Sequence, residues 1–154
     1  GRDEFMFMFD NVRLSDHGEP YAGATRPYAQ VVAILNSPEF LAFAGDLTML
    51  EPSFADVQAT RYSTGHFLHT HDDLDLSKGR LAAFVLSLSD WRPGWGGTLN
   101  FLAPEGQISR GIVPKFNTMT LFQVGLPHFV SYVTPFAPRP RFSITGWLRR
   151  PTVG

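Results

Sequence analysis

The sequence predicts an α+β fold that is mainly β: a two-sheet sandwich or barrel of about eight strands, with N-terminal helices packed on one sheet. Three observations predict it. Short apolar runs rich in β-branched and aromatic residues recur from about residue 55 onward. Turn residues separate them, for the chain holds fourteen glycines and twelve prolines. The first third carries helix-start signals instead. A length of 154 residues suits a single domain over 1–154, with a helical part over about 1–54 and a β core over about 55–150. Fourteen phenylalanines make that core aromatic-rich.

The elements follow in order. Phe5, Phe7 and Phe9 alternate, as in a packed strand or a buried extended segment. A helix covers Tyr28 to Leu35. In Ser37-Pro38-Glu39, Ser37 can cap a second helix and Pro38 suits its first position. Phe40 to Phe43 continue it, and Gly45 is the expected stop. Strands are predicted over Ala55–Tyr62, Phe67–His71, Leu81–Ser89, Thr98–Leu102, Ile108–Val113, Thr118–Val124, His128–Val133 and Arg141–Leu148. "LAAFVLSLS" reads as a buried strand, and "PGWGG" as the turn after it. Trp95, in that turn, reads as a core residue or part of a loop over the site, the core being favoured.

Composition narrows the function. A net charge of −1 supplies no bulk field toward nucleic acid or an anionic membrane, so neither partner is expected. Arg139, Arg141, Arg149 and Arg150 form only a local basic cluster. The absence of cysteine excludes disulfides, zinc–thiolate sites and thiol nucleophiles, and is compatible with a reducing cytosol. No apolar run is long enough to span a bilayer and no signal peptide is visible, so a cytoplasmic location is the expectation. The chain opens on Gly1, as a tagged or excised fragment would.

The densest chemistry lies in "HFLHTHDDLD", which places three of the five histidines beside three aspartates. Residues two apart share a strand face, so His69, His71 and Asp73 are expected to point the same way. His66, Asp72 and Asp75 are less cleanly placed. A third ligand must come from His17, in a polar loop, or His128, which opens the strand-like "HFVSYV"; His128 is the better candidate. Two histidines and one carboxylate on one face of a metal leave three positions open, the ligand set of non-heme Fe(II) oxygenases.

Arg141, Ser143 and Thr145 share one strand face in "RPRFSITGWLRR". A buried arginine facing a cavity requires an anion, and its planar fork suits a carboxylate. Arg141 lies thirteen residues after His128, enough for a hairpin-like return that places both on neighbouring strands. Arg139, before Pro140, is the competing candidate and reads as a turn residue.

"RYSTGHFLHTHDD", "GGTLNF", "PKFNTMTLFQ", "HFVSYV" and "RFSITGWLRR", in that order, resemble the prolyl 4-hydroxylase-like 2-oxoglutarate/Fe(II) dioxygenases. The nearest branch contains the yeast-type prolyl hydroxylases that act on a ribosomal protein. The resemblance covers roughly residues 55 to 150 and implies a double-stranded β-helix, or jelly roll. It implies Fe(II) on His71, Asp73 and His128, and Arg141 on the distal carboxylate of 2-oxoglutarate. Tyr62 and Ser143 match cosubstrate-pocket positions, and Leu99 and Trp147 match apolar wall positions. Ser87 stands where some relatives carry a tyrosine, and its shorter hydroxyl needs a water to reach the carboxylate. His69 becomes a rim residue within reach of substrate or, equally, a partly exposed strand histidine. Asp72 and Asp75 become solvated or bonded to local backbone.

The implied activity consumes O2 and 2-oxoglutarate, with ascorbate as reductant, hydroxylates a prolyl residue in a peptide or protein, and releases succinate and CO2. Its rivals are hydroxylation of a free amino acid or small molecule and a non-catalytic jelly-roll binding domain. A zinc hydrolase is a weaker rival, because no general base is placed for it.

Overall fold

The computed structural model describes residues 6–152. Phe5 lies outside them. In chain order the elements are β1 (Phe7–Met8), β2 (Asp10–Arg13), β3 (Ser15–Asp16), β4 (Glu19–Pro20), α1 (Arg26–Leu35), α2 (Pro38–Thr48), β5 (Phe54–Tyr62), β6 (Phe67–His71), β7 (Arg80–Ser87), β8 (Leu99–Leu102), β9 (Ile108–Ile112), β10 (Thr118–Gln123), β11 (His128–Val130) and β12 (Arg141–Arg149). All eight expected strands form, each close to its predicted bounds except β11, which ends three residues early. The part before residue 54 is less helical than expected, since four short strands precede the helices.

Two five-stranded sheets, ordered β1-β6-β11-β8-β9 and β10-β7-β12-β5-β2, face one another; β3 and β4 form a separate hairpin. Every strand pair is antiparallel. The chain therefore alternates between sheets, as a jelly roll does.

Both helices begin as their residues dictate. Pro27 occupies the first turn of α1. Ser37 Oγ accepts from the Phe40 N–H at 3.2 Å, and Pro38 opens α2. Gly45 does not stop α2. The helix runs on to Thr48 and ends at Met49, which takes the left-handed conformation (φ 57°). Gly45 instead gives room to a neighbour, since a Cβ there would lie 2.9 Å from the Leu50 carbonyl oxygen. Asn36, at the end of α1, donates to the Ala55 carbonyl and accepts from the Ala55 N–H, at 3.0 and 2.7 Å, tying the helix to β5.

Strand β12 divides two cores. Ile144 and Leu148 pack toward the helices with Val32, Leu35, Ala44, Val57 and Phe84. Trp147 faces the other way, into an aromatic core between the sheets that includes Tyr62, Trp91, Leu99 and Phe122. Trp95 joins that core, its ring edge-on to Trp91 at 5.2 Å. At Gly146 a Cβ would fall 1.8 Å from the Asp56 carbonyl oxygen and 2.8 Å from the Phe84 ring, so only glycine fits.

The expected hairpin between His128 and Arg141 is not there. β11 lies between β6 and β8 in one sheet, and β12 between β7 and β5 in the other. "PFAPRP" is a crossover from sheet to sheet. It sets His128 and Arg141 on opposite walls of the sandwich.

Candidate active site

A cavity of about 80 Å3 opens between the sheets, lined by His71, Asp73, His128, Tyr62, Leu99, Arg141, Ser143 and Trp147 among others. Eight of the nine residues picked out from sequence thus meet in one place. The ninth, Ser87, is buried but does not line this cavity. Its hydroxyl donates to the Ser89 carbonyl at 3.1 Å, and it faces a smaller cavity on another side of Arg141.

The metal-ligand candidates come from two neighbouring strands. His71 closes β6 and lies opposite His128 on β11, with ring centroids 4.2 Å apart. Asp73 lies past the strand end. Its φ of 61° shows that a left-handed turn, not strand alternation, returns its carboxylate to the histidines. The Nε2 atoms of His71 and His128 approach the two Asp73 oxygens at 3.5 and 3.2 Å.

Alternation also fails at His69. Opposite His128 and Val130, two residues apart, stand His71 and Leu68, three apart. This irregularity in β6 leaves both His69 and Thr70 exposed while Leu68 and His71 face the cavity. The His69 ring packs beside Phe67 at 5.1 Å and does not line the cavity. Its backbone carbonyl matters more, because it accepts from His71 Nδ1 at 2.9 Å. His128 Nδ1 likewise donates to the Leu126 carbonyl at 2.7 Å. With each Nδ1 hydrogen so engaged, both Nε2 lone pairs point at the carboxylate.

Those contacts supply a test of fit for a cation. Two imidazole lone pairs and a carboxylate converge, with all three donor atoms within 4.8 Å of one another. Electron-pair donors repel at such distances unless a cation lies among them. A divalent metal suits this N, N, O set. Burial holds the His71 imidazole below its ordinary pKa, with the His69 carbonyl opposing. The neutral, ligating form is thereby favoured.

Across the cavity, Arg141 is 3% exposed. Among the described residues its Nε and Nη1 are buried without a hydrogen-bond partner, as are the hydroxyls of Ser143 and Thr145 on the same strand face. Burial lowers the Arg141 pKa, with Tyr62 opposing. Its guanidinium lies 5.2 Å from the centre of the Tyr62 ring, which stacks on Phe9 at 5.0 Å. Burial raises the Tyr62 pKa, so the phenol stays neutral. An unpaired buried guanidinium costs several kcal/mol, roughly, unless an anion meets it. A carboxylate-bearing ligand suits this end of the cavity as a cation suits the other.

The remaining sequence candidates lie outside. His17 is exposed in the β3–β4 turn, and Arg139 is exposed in the crossover. Asp72 accepts from the Leu74 N–H at 3.0 Å, the local backbone role expected of it, whereas Asp75 accepts from the Ser77 hydroxyl at 2.6 Å and pairs with Lys78 at 3.1 Å, side chains rather than backbone. Phe7 is exposed in β1, while Phe9 lines the cavity. Sequence reasoning missed Gln58, Thr60 and Phe122, which line the cavity. Their inward parity on β5 and β10 was readable, but only once the facing sheet was known.

Known proteins resemble this chain. A profile of the 2OG-Fe(II) oxygenase superfamily matches residues 57–149. The chain is 33% identical, over 120 residues, to the prolyl 3-hydroxylase sudestada1 of Drosophila melanogaster; the match takes in 69% of this chain and 22% of that protein. The chain thus spans about a fifth of the length of this relative. Among solved structures, a Pseudomonas putida prolyl-4-hydroxylase superposes with a TM-score of 0.75 at 22% identity, covering 99% of this chain and 77% of the other. A prolyl 4-hydroxylase of Phytophthora capsici superposes with a TM-score of 0.68 at 24% identity, covering 90% of this chain and 47% of the other. At these identities the two structures speak for the fold.

Proposed function

Because this chain belongs to the 2OG-Fe(II) oxygenase superfamily, we propose that it hydroxylates a prolyl residue in a peptide or protein, using Fe(II), 2-oxoglutarate and O2. The observation that carries the proposal is the pairing of two complementary ends in one cavity. Three converging metal donors stand at one end, and a buried arginine whose Nε and Nη1 have no hydrogen-bond partner among the described residues stands at the other. A dicarboxylic acid able to chelate a metal satisfies both at once. Kinship with a protein named a prolyl 3-hydroxylase supports the prolyl substrate and makes carbon 3 the first position to look for.

The chain's part is placement. His71, Asp73 and His128 would hold the iron. Their fixed tautomers and one shared carboxylate leave the remaining coordination sites to ligands from outside the protein. When bound, Fe(II) and 2-oxoglutarate supply oxygen activation and C–H hydroxylation, with succinate and CO2 as the other products. Arg141 would pair with the distal carboxylate, and Ser143 and Thr145 would offer their unpartnered hydroxyls beside it. Tyr62, Leu99 and Trp147 exclude water from between the two ends. Ascorbate serves as the reductant that maintains Fe(II).

The test is incubation with Fe(II), ascorbate, 2-oxoglutarate and a panel of proline-containing peptides. Iron-dependent succinate release with a gain of one oxygen on peptidyl proline supports the reading. Iron-dependent succinate with oxygen gained only by a free amino acid or small molecule would move the substrate class. No succinate under any condition would sink it.

A further inference from the structure

We infer that Arg80 is a positioning residue for the metal centre, clamping Asp73 from behind in the geometry that presents its carboxylate to His71 and His128. The inference rests on the metal-site reading and goes beyond it, to a residue outside the cavity.

Asp73 needs such a clamp. It follows the end of β6, and its φ of 61° is one that residues other than glycine seldom adopt. Among the described residues, Asp73 lacks the regular ladder that holds His71 and His128. Arg80 supplies a substitute. Its Nη1 donates to the Asp73 backbone carbonyl at 3.3 Å and lies 3.9 Å from Asp73 Oδ1, the oxygen nearer His71. One guanidinium nitrogen thus reaches both the backbone and the carboxylate of the same residue.

Arg80 is itself fixed. It opens β7 opposite Arg149 of β12. The Arg150 N–H donates to the Gly79 carbonyl at 3.0 Å just before it. Gly79 is required there, since its φ is 61° and a Cβ would lie 2.3 Å from the Arg150 carbonyl oxygen. The Arg80 guanidinium lies 3.8 Å from the centre of the Trp147 ring, a stacking contact that limits its swing. The charges of Asp75, Arg149 and Asp56 also act on Arg80. Arg149 is engaged elsewhere, pairing with Asp56 and donating to the Lys78 carbonyl. Its like charge disfavours movement of Arg80 in that direction.

The planar fork explains the choice of residue. A lysine would carry the charge but not the flat surface that stacks on Trp147. Loss of an outer partner of a metal ligand typically weakens metal affinity by about 10–100-fold.

The test is cobalt(II) titration of metal-free wild type, Arg80→Gln and Arg80→Lys, read by visible absorption, with the melting temperature of each metal-free protein measured in parallel. Arg80→Gln should weaken cobalt affinity by about 10–100-fold, with Arg80→Lys intermediate. The metal-free melting temperatures should stay close to that of wild type. If Arg80→Gln does not fold, Arg80→Lys decides alone: a loss of affinity supports the inference. Affinities within about twofold of wild type in the variants that fold would overturn it. Failure of wild type to take up cobalt would overturn the metal-site reading itself, a separate outcome.

Discussion

At Asp73, the backbone turns left-handed so that one carboxylate can face two histidines. The ligand and the conformation can be separated by experiment. Asp73→Gly keeps the backbone freedom and removes the carboxylate, so metal-free stability should be retained or rise while metal affinity falls by at least about 100-fold; calorimetry of metal binding reads this. His69→Ala should leave affinity within about twofold, since His69 serves through its carbonyl and its ring points away. Arg141 offers the opposite contrast. Arg141→Leu removes an unpaired buried charge. The metal-free protein should melt about 2–4 °C higher per kcal/mol of relief, while protection by 2-oxoglutarate disappears. A lower melting temperature with protection retained would contradict the anion role. His71, Asp73, His128 and Arg141 were picked out in the sequence through the ordered set of motifs, and one cavity brings them together. The reason Asp73 faces inward was not, because a left-handed turn leaves no mark in an His-x-Asp pattern.

Strand β12 shows what alternation can reveal and where it stops. Arg141, Ser143, Thr145 and Trp147 face the cavity in strict alternation, and the face was readable from "RFSITGW". The helix-side face of the same strand has an equally strict demand at Gly146, where a side chain would collide with the backbone of β5. Gly146→Ala should cost about 3 kcal/mol or more, seen as a large fall in the urea midpoint or as failure to fold. Strand β6 broke the rule, since its irregular pairing exposes two successive residues. Such an offset belongs to the pairing of two strands, and one strand's sequence cannot display it. The crossover between β11 and β12 was hidden for the same reason. A Pro-rich stretch marks a break between strands but not the sheet to which the chain returns.

The molecule divides its labour between two sheets. One carries His71 and His128 and the turn holding Asp73; the other carries Arg141 and its hydroxyl-bearing neighbours. Ligands that contact both ends should therefore stabilise the whole sandwich. Manganese(II) alone should raise the melting temperature, and 2-oxoglutarate added to the metal-loaded protein should raise it further. At 100 times its dissociation constant the added stabilisation should be about 2.7 kcal/mol. If 2-oxoglutarate stabilises equally without metal, the two ends do not act as one site. The mainly β fold and its helical layer were legible from strand-length apolar runs and the Ser37-Pro38 start, because those signals are local. The four short strands before α1 were not, since β1 and β2 owe their form to the sheet edges they join, and β3 and β4 to pairing with one another.

The proposed hydroxylation is tested most directly by a reaction under isotopically labelled dioxygen, with the products read by mass spectrometry. One labelled atom is expected in succinate and one in the new hydroxyl of a peptidyl proline, both lost in Asp73→Gly. Succinate and hydroxylated peptide that both lack label, or label that persists in Asp73→Gly, would contradict it.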